Sequence, residues 1–493
     1  MANSTDFSAV LAAIMSVPEQ YKAASGHQMS EVLTSKDARQ TLEGSSPDEL
    51  LSCAQTELDA RDHQIGFLCV LESVASRKKV RDGPWSPLAA ELARLASGFL
   101  AAARPSDYMG TCPVWSKKLC SLCVSLARQA IAAANAVQSP RVDEAKASIL
   151  PLCSGLECLT QGDVQRITPL HAVLIELCVV TKCYAKAVGL MGPMPSLYEP
   201  ERFGTKLKDV LACFLHCGDA LLSLKRYEEG LNMLKGALSM PLYASHPLAT
   251  AAAKKYVLGS LIKWGELDDL PMYVSNVVRK TVSQEIPEYQ GLVRQAETLR
   301  FDLTTPSAAD SGVHPSAHAL HEYIVEKEAT WKEDGNEALI AIIAADLYHT
   351  ATLIRFLKTY TTMPKDVLMR ALGVASAAEL DAVVMKFSAL ESVTGAVRID
   401  DEENVVHFDI ALDEVNGMTM RKLMQLIQKA TAAKKAVDED WVAIETSDVF
   451  RKQMNRSDGG RGERMKKGMM AREGPSIDMS ALPMSASERM MSG

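Results

Sequence analysis

His314, His318 and His321 stand at i, i+4 and i+7. That spacing stacks three imidazoles on one face of a helix, where they could hold a divalent metal. The nearby carboxylates are Asp310 and Glu322, and Pro315 puts His314 at the helix start. The set therefore reads as solvated or capping histidines. Cys120 and Cys123 form a CxxC pair, but only Cys112 lies upstream and no second pair of that spacing follows. A tetrahedral zinc site needs four ligands at regular spacing, so the pair reads as core packing. No Gly-rich phosphate loop of the GxxxxGK[ST] kind and no GxSxG nucleophile turn is present. No residue set is left to carry catalysis, so neither an enzyme nor a cofactor is expected.

The bulk numbers narrow the classes further. The chain has 493 residues, 47% of them hydrophobic, enough for an extended folded core. Its net charge of −8 disfavours a general binder of nucleic acid or anionic membrane. No continuous apolar run approaches 18 residues, and the start, Met1-Ala2-Asn3-Ser4-Thr5-Asp6, has no basic region or cleavage site. Neither a transmembrane helix nor a secretory signal is expected. The eleven cysteines sit mostly in apolar stretches, where a free thiol acts as a small hydrophobe. A reducing compartment follows, the cytoplasm or nucleus.

The most structured signal lies over 359–408. It predicts a strand over 359–363, a helix over 364–372, a second helix over 376–390 and a hairpin over 396–408, which is a winged helix. In the second helix Leu380, Val383, Val384, Phe387 and Leu390 form one apolar stripe. Ser376 caps it, with Glu379 in capping-box position. In the wing, Val397 and Ile399 alternate with Arg398 and Asp400, and Val406 and Phe408 alternate with His407. Asn404 suits the turn because it tolerates positive φ. The candidate recognition helix carries Glu379, Asp381 and Glu391 against Lys386, and the wing tip is Asp400-Asp401-Glu402-Glu403. Phosphate binding needs cations, so this winged helix is expected to bind protein, not nucleic acid. Thr359, Tyr360, Val397, Ile399, Val406 and Phe408 are its candidate interface, with 405–408 or 359–363 adding to a neighbour's sheet by its edge.

Positions 1–300 read as helical almost throughout, with apolar residues three or four apart and breaks at Ser46-Pro47, Gly83-Pro84, Arg104-Pro105, Ser139-Pro140 and Gly192-Pro193. A repeat recurs. Arg226-Tyr227-Glu228-Glu229-Gly230 leads into Leu234 and Ala237, with Gly218 twelve residues before Gly230. Its counterparts begin at Cys183-Tyr184 and Gly265-Glu266. A period near 40 with small residues between paired helices predicts a mainly α fold, a right-handed, TPR-like solenoid. A Ser/Thr/Pro/Gly-rich loop at 302–316 separates this arm, 1–300, from a domain over 317–410 that contains the winged helix. Over 411–445 a helix places Met420, Leu423, Ile427, Ala430 and Val437 on a three/four step, a seam that needs a partner. The remainder, 446–493, is rich in Gly, Ser, Met and Arg and reads as a disordered tail, its cations solvated.

A helical array followed by a winged helix resembles the PCI domain shared by the proteasome lid, the signalosome and eukaryotic initiation factor three. Two stretches resemble one family within that group. The first is His171-Ala172 with Leu177-Cys178 and Lys182-Cys183-Tyr184-Ala185-Lys186-Ala187. The second is Ala244-Ser245-His246 with Lys254-Lys255-Tyr256-Val257-Leu258, then Gly265 and Leu270-Pro271-Met272-Tyr273. Both are similar to the subunit 3 family of the constitutive photomorphogenesis-9 signalosome. The resemblance covers about 165–410. It implies a non-catalytic scaffold in an assembly that removes the ubiquitin-like modifier Nedd8 from cullins. The partners it implies are other PCI subunits, a metal isopeptidase subunit and, through the complex, cullin-RING ligases. The His-x-His pair with a distant Asp that such isopeptidases use is absent from this sequence. The alternative is a PCI subunit of the proteasome lid, initiation factor three or a messenger-export complex, or a free-standing adaptor.

Overall fold

A computed structural model describes residues 10–12, 36–60, 63–81, 86–103, 113–136, 140–163, 166–191, 197–198, 200–242, 244–271, 273–299, 315–388, 397–400 and 404–408, with 424, 427–432, 434–435, 437 and 439 beyond them. The chain divides into two compact units, Met1–Ile410 and Ala411–Gly493.

The first unit is mainly α. It begins with α1 (Lys36–Gly44), α2 (Pro47–Thr56), α3 (Gln64–Ala75), α4 (Lys78–Arg81), α5 (Pro87–Ala102), α6 (Pro113–Ala134) and α7 (Val142–Thr160). The array continues through α8 (Pro169–Val180), α9 (Tyr184–Met191), α10 (Pro200–Phe203), α11 (Leu207–Ser223), α12 (Tyr227–Leu238) and α13 (Pro247–Trp264). Then come α14 (Asn276–Lys280), a π-helical turn (Thr281–Glu285), α15 (Pro287–Thr298), α16 (Pro315–Glu326), α17 (Glu328–Glu333) and α18 (Glu337–Thr359). Strands β1 (Arg166–Ile167) and β2 (Leu197–Tyr198) form a short parallel pair. Several helices open on proline, whose missing N–H would have had no intrahelical partner in the first turn anyway. At α2 the Ser46 hydroxyl accepts from the Glu49 N–H and the Glu49 carboxylate accepts from the Ser46 N–H, each 3.2 Å, so a capping box fixes the start.

The repeat seen in the sequence takes a definite backbone form. Lys182 (φ 60°), Lys225 (φ 62°) and Gly265 (φ 67°) each end a helix in the left-handed region, 43 and 40 residues apart. After the first two the chain turns back so that Cys183 N–H donates to the Cys178 carbonyl at 2.7 Å and Arg226 N–H to that of Leu221 at 2.9 Å. The glycines between α11 and α12 are there for space. A Cβ on Gly218 would lie 2.8 Å from Leu234 Cγ, and one on Gly230 would lie 3.1 Å from Leu222. Tyr227, Leu231, Leu234, Ala237 and Leu238 are buried, as the repeat register requires.

After α18 come β3 (Thr362–Pro364), α19 (Lys365–Leu372), α20 (Ala377–Ser388), β4 (Val397–Asp400) and β5 (Val405–Phe408). The sheet order is β3–β5–β4, antiparallel throughout, with Val397 opposite Phe408 and Ile399 opposite Val406. That is the strand–helix–helix–hairpin order expected of a winged helix. Two expectations need correction. Thr359 and Tyr360 do not belong to the first strand. Tyr360 N–H still donates to the Phe356 carbonyl at 2.8 Å and the Thr359 hydroxyl to that of Arg355 at 2.7 Å, so α18 runs through Thr359 with Tyr360 as its C-cap, and the strand starts three residues later than expected, at Thr362. Buried Leu353 and Phe356 keep this last turn packed, and the Thr-Tyr-Thr-Thr run turns extended from Tyr360 on. The strand 405–408 is also not an edge. It is the central strand, paired on both sides. Asn404 takes φ 53° at the wing turn, and its carbonyl accepts from Lys365 N–H at 3.0 Å.

Helix α18 belongs to two cores. Leu339, Ile340, Ile343, Leu347, Tyr348 and Ala351 lie in the core that runs through the array. Leu353, Ile354 and Phe356 lie in a second core with Leu368, Leu380, Val406 and Phe408. The array and the described residues from Pro315 to Phe408 therefore belong to one compact unit. By length and composition α18 could also cross a bilayer, which a search for an unbroken apolar run misses because Asp346, His349 and Arg355 interrupt it. Here 56% of its most apolar stretch is buried inside the fold.

Candidate assembly surfaces

The wing is one candidate surface. Val397, Val406 and Phe408 point into their own core and so are not the contact surface, whereas Ile399 is only partly buried against that core. What the sheet offers instead is backbone, the outer edges of β4 and β3. On α20 the exposed face is Ala378, Asp381, Ala382 and Met385. Its charges are largely committed. The Glu379 carboxylate accepts from Ala375 N–H at 3.1 Å while the Ser376 hydroxyl caps the Glu379 N–H at 3.3 Å. Lys386, the lone cation of this helix, is bound to Asp346 of α18 at 3.0 Å. A helix so charged has nothing to hold a phosphate backbone. Glu391 and residues 401–403 of the acidic tip lie outside the described residues.

The second candidate surface is in the other unit. Ile427, Ala430 and Val437 are helical and exposed, and Met424 is exposed beside them. Met420 and Leu423 lie outside the described residues. Lys435 pairs with Glu439 at 3.8 Å.

The residues that carry the family resemblance prove to be turn and seam residues. His171 is buried. Its Nδ1 accepts from the Thr168 N–H at 3.1 Å and lies 3.0 Å from the Thr168 hydroxyl, closing the N-terminal cap of α8. Burial pushes its pKa down to about 4. Lys254 and Lys255 reach into a polar seam beside α18. Lys254 Nζ donates to both carboxylate oxygens of Asp334, at 2.6 and 2.8 Å. Tyr289 O–H donates to Asp334 at 2.7 Å and accepts from Asn336 Nδ2 at 2.7 Å. Lys255 donates to Asn336 Oδ1 at 3.1 Å and to Asp219 of α11 at 2.8 Å. The Tyr256 hydroxyl bonds the Asp268 carbonyl at 3.1 Å, and Arg279 holds the carbonyls of Leu270, Pro271 and Val274. Periodicity alone gave no sign of this seam. The side-by-side lysines on a helix otherwise buried were the only signal.

The candidate chemistry sorts itself by placement. Cys120 and Cys123 are buried, and burial raises the Cys120 thiol to about 12 and that of Cys123 well above its ordinary value. Both are unreactive core thiols. His318 and His321 are exposed on α16, and His318 pairs with Glu322 at 3.3 Å; His314 lies outside the described residues.

Fold and surfaces define a helical-repeat protein whose signature residues serve packing. Residues 25–278 match the family model described as COP9 signalosome complex subunit 3, N-terminal helical repeats. The chain belongs to that family. It is similar to COP9 signalosome complex subunit 3 of Dictyostelium discoideum, 21% identical over 254 residues. That alignment covers 52% of this chain and 56% of the relative. It is also similar to the protein of the same name from Arabidopsis thaliana, 24% identical over 333 residues, 67% of this chain and 68% of the relative.

Proposed function

We propose that this chain is a non-catalytic scaffold subunit of a signalosome, supporting the removal of Nedd8 from cullins and hence the regulation of cullin-RING ubiquitin ligases. The observation that carries the reading is family membership over the helical repeats, joined to a following domain whose sheet ends in the outer edge of β4. An edge strand invites a further strand. The acidic α20, with its lysine already paired, favours protein over nucleic acid as the neighbour. The partners are other PCI subunits, bound through the wing edge and the helix that carries Ile427, Ala430 and Val437, and a metal isopeptidase subunit that supplies catalysis. Cytoplasm and nucleus are the expected compartments.

Affinity purification of the full chain followed by mass spectrometry tests this. Recovery of sister PCI subunits, a metal isopeptidase and cullins is expected. Recovery of ribosomal subunits or RNA in their place would assign the chain to the alternative, an initiation or export factor.

A further inference from the structure

The seam around Asp334 lies where α18 begins, at a turn in which Gly335 takes φ 65° and Asn336 N–H donates to the Trp331 carbonyl at 3.0 Å. We propose that the chain Lys254–Asp334–Tyr289–Asn336–Lys255–Asp219 is a latch that sets the direction of α18 and, through it, the orientation of the winged helix.

The groups come from α11, α13, α15 and the α17–α18 turn, so the latch ties four parts of the array to one point. Its charges balance, two lysines against two aspartates. Tyr289, Asn336 and Trp331 are all but fully buried, and Tyr289 meets Trp331 edge-on with ring centroids 5.0 Å apart. Apolar packing alone has no direction, whereas hydrogen bonds fail when misaligned. In a buried site a broken one leaves a costly unpaired group. Further along, Gly265 lets α13 approach α18 at Ala351 closely, since a Cβ there would lie 2.8 Å from Ala351 Cα. The Lys358–Glu266 pair is exposed and contributes little.

Geometry gives the latch its leverage. Helix α18 has 23 residues, and at about 1.5 Å each it is roughly 35 Å long. A tilt of about 10° of the helix as a whole therefore displaces one end relative to the other by about 6 Å. Adjacent strands sit only about 4.8 Å apart, so such a tilt carries the wing edge out of pairing distance from a neighbour. This consequence rests on the reading of the wing as an assembly surface.

Fluorophores attached through unnatural amino acids at Leu150 and Met385, exposed 73% and 76%, report the wing's orientation in the full chain by single-molecule energy transfer. With Lys254→Met, the transfer distribution should broaden. Amide exchange over 336–345 should rise about tenfold, protection of 397–408 should stay as in the wild type, and recovery of sister PCI subunits should fall several-fold. Lys358→Met, which cuts the exposed pair between α18 and Glu266, should change none of these. An unchanged distribution with exchange within twofold of the wild type overturns the latch. So does loss of protection across the whole winged helix, which would make the network a folding element only. A loosened α18 with full recovery of the partners overturns its role in assembly. Should Lys254→Met fail to fold, Tyr289→Phe, which deletes only the hydroxyl, is read by the same criteria. A wild-type chain that recovers no signalosome subunit defeats the proposed function, yet leaves the energy-transfer and exchange results to decide the latch.

Discussion

His171 shows how a residue that carries a family resemblance serves structure. Its ring nitrogen accepts a backbone N–H, a role open only to the neutral imidazole. Its folded pKa of about 4 lies below the ordinary 6.5, so the unfolded chain takes up the proton first. Its contribution to stability is complete above pH 6.5 and is lost as pH falls toward 4, by about 3 kcal/mol in all. Urea unfolding between pH 7 and 4 should show this slope in the wild type and a shallower one in His171→Gln. Equal slopes would place the dependence elsewhere. The array core makes a second residue-scale test. Leu234 is fully buried against Gly218, so Leu234→Ala should cost about 2–5 kcal/mol. Gly218→Ala should cost about 1–3 kcal/mol by overpacking. A loss under about 0.5 kcal/mol for Leu234→Ala, read by chemical denaturation, would mean the repeat register is wrong. Lys225, at φ 62°, is strained in the left-handed region. Lys225→Gly should raise stability by about 0.5–1 kcal/mol.

At the scale of elements, β5, one of the two strands expected to offer an edge, lies at the centre of the sheet, and β3 and β4 flank it. Alternation in Val405-Val406-His407-Phe408 shows which side chains face inward, but it is blind to which strand has a free edge. Because β5 is central, Val406→Pro should unfold the wing sheet itself and so reports nothing about partners. The informative substitutions are on β4. Neighbouring N–H groups of a strand point to opposite sides, so of Arg398→Pro and Ile399→Pro one removes an outward donor and the other an inward one. The outward variant should keep the domain's melting profile and lose sister PCI subunits on purification. If both variants fold and both retain every partner, edge pairing through β4 is not how the wing assembles. Helix α18 teaches the complementary lesson. It takes Thr359 from the expected strand, which therefore starts only at Thr362, because buried Leu353 and Phe356 keep its last turn packed.

At the scale of the whole molecule, the break that matters falls at Ile410. Deleting 412–493 should leave the first unit folded with an unchanged melting temperature, and should abolish entry into the complex. Continued assembly of the truncated chain would make the C-terminal helix a dispensable appendage. The division shows what each level of description holds. Apolar period, helix-opening prolines, the small residues at Gly218 and Gly230 and the Asn404 turn are local, set by backbone sterics and one-sided burial, and the sequence alone determined them. It also carried the family signature, although the jobs of those residues were hidden. Tertiary structure alone decided that β5 is central, that α18 serves two cores, and that Lys254 and Lys255 meet Asp334 and Asn336. Those facts depend on contacts between residues some 80 positions apart. Their partners are chosen by the path of the whole chain, and no local period records that path.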